Sequence, residues 1–132
     1  MDPKRLYLPA WALIGFGLLT AASSIPPLTS VLSFFVDAAF FPLDGQQSGE
    51  AAPTRFIAAV GGGITTGWGV TLLVLARGGD LRQAVLWGAF GWFIPDSIGS
   101  VLVGAPMNAV YNLAFLAIFL VAAWPKRTPE AA

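Results

Sequence analysis

Apolar residues along the chain are grouped into four long stretches that are separated by short polar segments. The stretches cover residues 7–24, 54–76, 83–103 and 106–124. A transmembrane helix needs about 20 apolar residues to cross a hydrocarbon core about 30 Å thick, and each stretch is close to that length. The pattern predicts an all-α integral membrane protein, with a bundle of four transmembrane helices in a single domain covering residues 1–132. For the first stretch, which follows Lys4 and Arg5, the alternative is a signal peptide.

A fifth apolar segment, residues 29–41, lies in the connection between the first and second stretches. Its apolar residues recur at helical spacing, and Pro42 follows it as a helix stop. The segment is too short to cross a bilayer. We expect an interfacial helix on the outer face of the membrane, and the alternative is a lid over the mouth of the bundle.

Composition agrees with a membrane protein and restricts the chemistry. The chain is 56% hydrophobic and 11% charged, whereas an ordinary soluble domain has about 25% charged residues. Seven basic residues are balanced by seven acidic ones, which gives no electrostatic footprint for a nucleic acid. The absence of Cys and His excludes thiol catalysis, Ser/His/Asp triads and the usual haem, zinc and iron–sulfur ligands. We therefore expect a protein that is not an enzyme and has no metal site. The cofactor is unknown, and the candidates are a lipid, a quinone and a carotenoid.

The basic residues predict an orientation. Six of the seven share one side of the membrane if both termini are cytoplasmic: Lys4, Arg5, Arg77, Arg82, Lys126 and Arg127. Only Arg55 falls on the other side, after a connection that carries three acidic residues. By the positive-inside rule, this asymmetry predicts a multi-pass membrane protein with cytoplasmic N and C termini. We expect its location to be the bacterial inner membrane.

Small residues recur four positions apart in the second predicted helix, at Ala59, Gly63 and Gly67. This spacing lets two helix backbones approach closely. The contacts can lie inside the bundle, or they can form a docking face for another subunit or a second copy. The run of Gly61, Gly62 and Gly63 adds a place where a second backbone or a flat ligand could approach.

Two tryptophans, Trp68 and Trp92, lie deep within the second and third predicted helices. One interpretation is that they fill space against glycine-lined surfaces. The other is an aromatic slot for a quinone, a carotenoid or a lipid tail.

The third and fourth predicted helices carry the one polar cluster expected inside the membrane. The two helices turn near Gly104; Asp96 and Asn112 each lie eight residues from it, and Ser100 and Asn108 each lie four residues from it. Residues at equal distance from a turn share a depth, so we expect two hydrogen-bonded pairs, Asp96 with Asn112 and Ser100 with Asn108.

Asp96 is the only acid expected deep in the bilayer, where a carboxylate usually faces the protein interior and has a partner. Arg55, at the outer end of the second helix, could extend towards it. The cluster can be structural, as polar contacts that hold the helices together. It can instead form a small pocket open to the outside for a proton, a cation or a ligand head group.

In hydropathy profile and size, the whole chain resembles the small four-helix bacterial membrane proteins of the DoxX-like class. Several bacterial proteins of unknown function are also similar around the segments RFIAAVGGG, GWG and WFIPDS. The resemblance implies the four-helix architecture. Some DoxX-like proteins accompany quinone-linked redox systems. The resemblance places no catalytic or binding motif on residues of this chain.

The leading functional hypothesis is a non-enzymatic accessory subunit that packs within a larger inner-membrane assembly. Its expected partners are membrane lipids and other membrane subunits or further copies of the chain. A small transporter or proton/cation pathway that uses Asp96 is the first alternative. A lipid- or quinone-binding protein is the second, and a membrane enzyme acting on such a molecule is the last.

Overall fold

The computed structural model describes residues 3–40 and 42–124, and the elements within them are all helical. A short 3-10 helix, Pro3–Leu6, leads into α1. The α-helices are α1 (Tyr7–Ser23), α2 (Thr29–Phe40), α3 (Ala52–Ala76), α4 (Leu81–Leu102) and α5 (Pro106–Ala122). Each coincides, to within one helical turn, with a helix predicted from the apolar pattern. The all-α class is confirmed.

Three helical segments are long and apolar enough to cross a membrane: Pro3–Ser23, Ala52–Ala76 and Leu81–Leu102. The helices α5, with 17 residues, and α2, with 12 residues, are apolar but shorter. These lengths support a membrane protein. A fourth crossing by α5 and an interfacial position for α2 stay predictions.

The helix ends follow local sequence signals. At the start of α4, the Asp80 carboxylate accepts a hydrogen bond from Gln83 N at 2.7 Å, and Asp80 N donates to Gln83 Oε1 at 3.1 Å. This reciprocal capping box satisfies two donors that a helix N-terminus would otherwise leave unpaired. The turns before α4 and α5 contain Gly78 and Gly104 at φ angles of 81° and 90°, which glycine adopts without a steric penalty.

The helices pack as a row rather than as a closed ring. The helix α3 lies between α1 and α4, and α5 packs on the other side of α4. Among the described elements, α5 makes its helix contacts with α4 alone. The bundle is therefore open between α3 and α5.

Neighbouring helices in the row are antiparallel. Gly69 of α3 faces Ala10, near the start of α1, whereas Gly62 faces Ala21, near its end. At the far side of the row, Arg82 Nε donates to the carbonyl oxygen of Ala123 at 2.7 Å, which joins the start of α4 to the end of α5. The chain thus alternates in direction from α1 to α3, α4 and α5.

This alternation places most of the described basic residues and most of the described acidic residues at opposite ends of the molecule, although the acid Asp80 lies at the basic end. One end carries the basic residues Lys4, Arg5, Arg77 and Arg82. The opposite end carries Asp37, Asp44, Glu50 and Arg55. Lys126 and Arg127, which were also predicted to lie at the basic end, are outside the described residues.

At the acidic end, α2 holds the loop that follows it. The Asp37 carboxylate accepts hydrogen bonds from Gly45 N at 3.0 Å and from Gln47 N at 3.2 Å. The Ser33 hydroxyl accepts one from Gly49 N at 3.0 Å. The buried acid Asp37 is accordingly a structural residue that caps the loop.

Candidate functional site

Asp96 is the centre of a polar cluster between α3, α4 and α5, and its side chain is 1% exposed. Its Oδ1 accepts hydrogen bonds from Asn108 Nδ2 at 2.8 Å and from Ser100 Oγ at 3.1 Å. Its Oδ2 accepts one from Trp92 Nε1 at 2.8 Å. Asn108 Nδ2 also donates to Ser100 Oγ at 2.9 Å, so the predicted pair of Ser100 and Asn108 is present.

The predicted pair of Asp96 and Asn112 is wrong. Asn112 Nδ2 donates to Ser97 Oγ at 3.3 Å, and Asn108 takes the place beside Asp96. Counting from the turn gives the depth of a residue but not its angular position around the helix. The backbone and Cβ of Asp96 pack against Gly63 of α3, and its carboxylate reaches Asn108 of α5. Ser97, the next position around α4, faces Asn112.

Arg55 does not reach the cluster. Its Nε donates to the carbonyl oxygen of Ser24 at 2.7 Å, just after the end of α1. The last carbonyl groups of a helix have no partner within the helix, so they attract a nearby guanidinium. Arg55 therefore joins the start of α3 to the end of α1, at the acidic end of the molecule.

Trp92 is the member of the cluster whose role the sequence analysis missed. Its sequence position predicted a packing or aromatic-slot residue, but its indole N–H donates a hydrogen bond to the Asp96 carboxylate. The signal that could have shown this is the spacing of four residues, which places both side chains on the same face of α4.

The small residues of α3 are used for contacts inside the protein. A Cβ added to Gly62 would lie 2.5 Å from Ala21 N of α1. A Cβ added to Gly63 or Gly67 would lie 2.6 Å from the Cβ of a residue of α4, Asp96 or Trp92 respectively. These contacts favour the interpretation of the small-residue spacing as internal packing.

Gly61 is the exception within the glycine run. It is exposed, and a Cβ added to it would meet no atom within 4 Å. The close approach that the run suggested therefore involves Gly62 and Gly63 and not Gly61.

A cavity of about 540 Å³ lies over α4 in the gap between α3 and α5, and we call it the cleft. Its aromatic lining consists of Trp68, Trp92, Phe115 and Phe119, and most of its other lining residues are aliphatic or small. Trp68 is 61% exposed at the rim of the cleft, so it does not fill the protein interior. The volume and lining match the usual properties of a small-molecule site, which is apolar with a few polar groups.

Three polar residues line one end of the cleft: Asp96, Asn108 and Asn112. Within the described part of the chain, the amide Oδ1 atoms of Asn108 and Asn112 accept no hydrogen bond, and Asp96 Oδ2 accepts only the one from Trp92. No fully buried side-chain nitrogen or oxygen among these residues lacks a partner, so the two amide oxygens are accessible. The polar end therefore offers acceptors to whatever enters the cleft.

The described residues contain no group of three or more His, Cys, Asp or Glu side chains that could hold a metal ion. The cleft itself offers oxygen acceptors for hydrogen bonding and aromatic rings for apolar contact.

Comparison of the chain with protein-family models, with curated proteins and with solved structures finds no match. The resemblance to the DoxX-like class stays a prediction.

Proposed function

We propose that the protein is a non-enzymatic membrane protein that binds an amphipathic small molecule in the cleft. The observation that carries the proposal is the combination of a cavity of about 540 Å³, aromatic walls and a single polar end. An amphiphile has the matching division, with a head group for the polar end and an apolar part for the walls. Because the cleft opens between α3 and α5, a lipid-soluble molecule would enter from the side without passing through water.

We also propose that α1, α3, α4 and α5 all cross the membrane and that α2 lies at its outer surface. With 17 residues, α5 is about 25 Å long, within the range of a crossing helix. The four basic residues at one end favour the cytoplasm on that side, opposite α2 and its acidic loop. The resemblance to small bacterial membrane proteins is the reason for placing the protein in the bacterial inner membrane.

A pair of tryptophan variants tests the binding function. Trp68 lines the cleft and is 61% exposed, whereas Trp87 lies outside the cleft and is 60% exposed. Trp68→Ala therefore removes a wall of the cleft, and Trp87→Ala removes an equally exposed ring elsewhere. Each protein is extracted in a mild detergent, and the small molecules that it retains are measured by native mass spectrometry.

We expect the unchanged protein and Trp87→Ala to retain an amphiphile and Trp68→Ala to lose most of it. Retention of nothing by the unchanged protein, or equal retention by both variants, would contradict binding in the cleft.

A second candidate function is the accessory subunit. The observation in its favour is the open flank of the row, where α5 is supported by α4 alone. Since the small residues of α3 pack against α1 and α4, a partner helix would have to contact α5 or the rim of the cleft. The same mass spectra distinguish the two functions, because an accessory subunit would be extracted together with another polypeptide.

A further inference from the structure

We propose that the polar end of the cleft selects a primary ammonium group, so that the ligand is a lipophilic amine with Asp96 as its counter-ion. This inference rests on the proposed binding function and adds the chemical class of the head group.

Hydrogen-bonding capacity is the first argument. The polar end presents three oxygen atoms with unused capacity: Asp96 Oδ2, Asn108 Oδ1 and Asn112 Oδ1. A primary ammonium group has three N–H donors and no acceptor, which complements three acceptors. A hydroxyl group supplies one donor, and a quaternary ammonium group supplies none.

Charge is the second argument. The partners of Asp96 among the described residues are an indole, a hydroxyl and a carboxamide, all of them neutral. A carboxylate buried in a membrane protein normally has a cation or an equivalent partner. Arg55, the basic residue nearest in depth, binds the Ser24 carbonyl instead. A cationic head group would supply the charge that the protein does not.

The aromatic walls are the third argument. The rings of Trp92 and Phe119 lie 6.3 Å apart beside the polar end, where an ammonium group can interact favourably with the face of a ring. From Asp96 the apolar part of the cleft continues along α4 as far as Val85, a distance of about 16 Å along the helix. An alkyl chain attached to the ammonium group would occupy this part.

Three probes with the same tail separate the head-group properties. Dodecylamine is protonated at neutral pH and has three donors, dodecyltrimethylammonium is a cation without donors, and 1-dodecanol is neutral with one donor. Binding of each to the protein in lipid nanodiscs is measured at equilibrium, and nanodiscs without protein give the correction for partitioning into lipid.

We expect the unchanged protein to bind dodecylamine about ten- to a hundredfold more tightly than 1-dodecanol, with dodecyltrimethylammonium weaker than dodecylamine. Asp96→Asn keeps the shape of the side chain and removes its charge, so this preference should fall to less than about threefold. Asp37→Asn is the matched control, because Asp37 is also a buried acid but lies outside the cleft. It should keep the full preference.

Equal affinity of the unchanged protein for dodecylamine and 1-dodecanol would overturn the inference even if Asp96→Asn did not fold. A preference that survives in folded Asp96→Asn would overturn it as well. If the two probes bind equally and Trp68→Ala weakens both, the binding function stands and only the head-group class is wrong. If no probe binds above the level of protein-free nanodiscs, the binding function itself fails.

Discussion

A buried acid in an apolar protein has to be surrounded by hydrogen-bond donors, and at Asp96 the chain supplies three from two helices. Trp92 and Ser100 lie one turn before and one turn after Asp96 on α4, and Asn108 comes from α5. Both carboxylate oxygens are used, yet Oδ2 has only one partner. Oδ1 is therefore held by donors from both α4 and α5, whereas Oδ2 is held by the Trp92 indole alone.

The contribution of the indole N–H can be measured by replacing Trp92 with Phe, which keeps an aromatic ring and removes the donor. Hydrogen bonds between side chains in membrane proteins contribute about 0.6 kcal/mol on average and up to about 1.7 kcal/mol. We expect Trp92→Phe to lower the free energy of unfolding by an amount in this range, because Asp96 Oδ2 loses its partner. The measurement is denaturant unfolding in detergent micelles, followed by circular dichroism.

Trp87→Phe is the control for that change. The Trp87 indole is exposed and makes no hydrogen bond with the described residues. Its replacement should leave the free energy of unfolding nearly unchanged, and an equal loss in the two variants would refute a specific role for the Trp92 donor.

At the scale of the helices, the structure depends on close contact between backbones. Lipid is as apolar as a leucine side chain, so helices associate through packing rather than through a hydrophobic driving force. The helix α3 meets this requirement on two faces, with Gly62 against α1 and with Gly63 and Gly67 against α4. The contact of Gly63 with Asp96 also places the carboxylate at the floor of the cleft. Asp96 therefore takes part both in the packing of α3 against α4 and in the candidate site.

Two glycines of α3, Gly63 and Gly61, provide a direct test of this packing. In Gly63→Ala the new methyl group would lie 2.6 Å from Asp96 Cβ and 2.9 Å from Asp96 N, so α3 and α4 would have to separate. We expect a loss of about 1–3 kcal/mol in the free energy of unfolding, the usual cost of overpacking. Weaker binding of amphiphiles in the cleft should accompany it.

Gly61→Ala makes the same chemical change two positions away, where a methyl group meets nothing within 4 Å. It should be neutral or slightly stabilising, because alanine favours a helix more than glycine does. If both variants were destabilised equally, the loss could not come from the contact of Gly63 with α4, and close packing at Gly63 would be refuted.

The positions of the helices could be predicted from the sequence because their signals are local. The apolar runs, Pro106 at the start of α5 and the Asp80–Gln83 capping box all lie within or beside the helix that they define. The pairing of side chains between helices could be predicted only in part. Depth relative to the turn at Gly104 was sufficient for Ser100 and Asn108, but angular position decided the partner of Asn112.

The open arrangement of the row is a property of the whole molecule, and no local signal predicts it. Four apolar helices of similar length are equally compatible with a closed ring. The difference lies in how many small residues each helix offers: α3 has them on two faces, whereas α5 has large exposed side chains such as Phe115, Ile118 and Val121. Only α4 packs closely against α5, and the cleft is the gap that results.

The orientation in the membrane is the last property of the whole molecule that can be tested, and the absence of native cysteine makes the test simple. Ser48 lies in the loop at the acidic end, and Leu81 lies at the start of α4 at the basic end; both are exposed. If the basic end is cytoplasmic, a membrane-impermeant maleimide should label Ser48→Cys in intact cells and Leu81→Cys only after permeabilisation. The reverse labelling pattern would mean that the protein has the opposite orientation, with its basic end outside the cell membrane. Labelling of both in intact cells would mean that the α1–α3 and α3–α4 connections share a side, which α3 as a crossing helix does not allow.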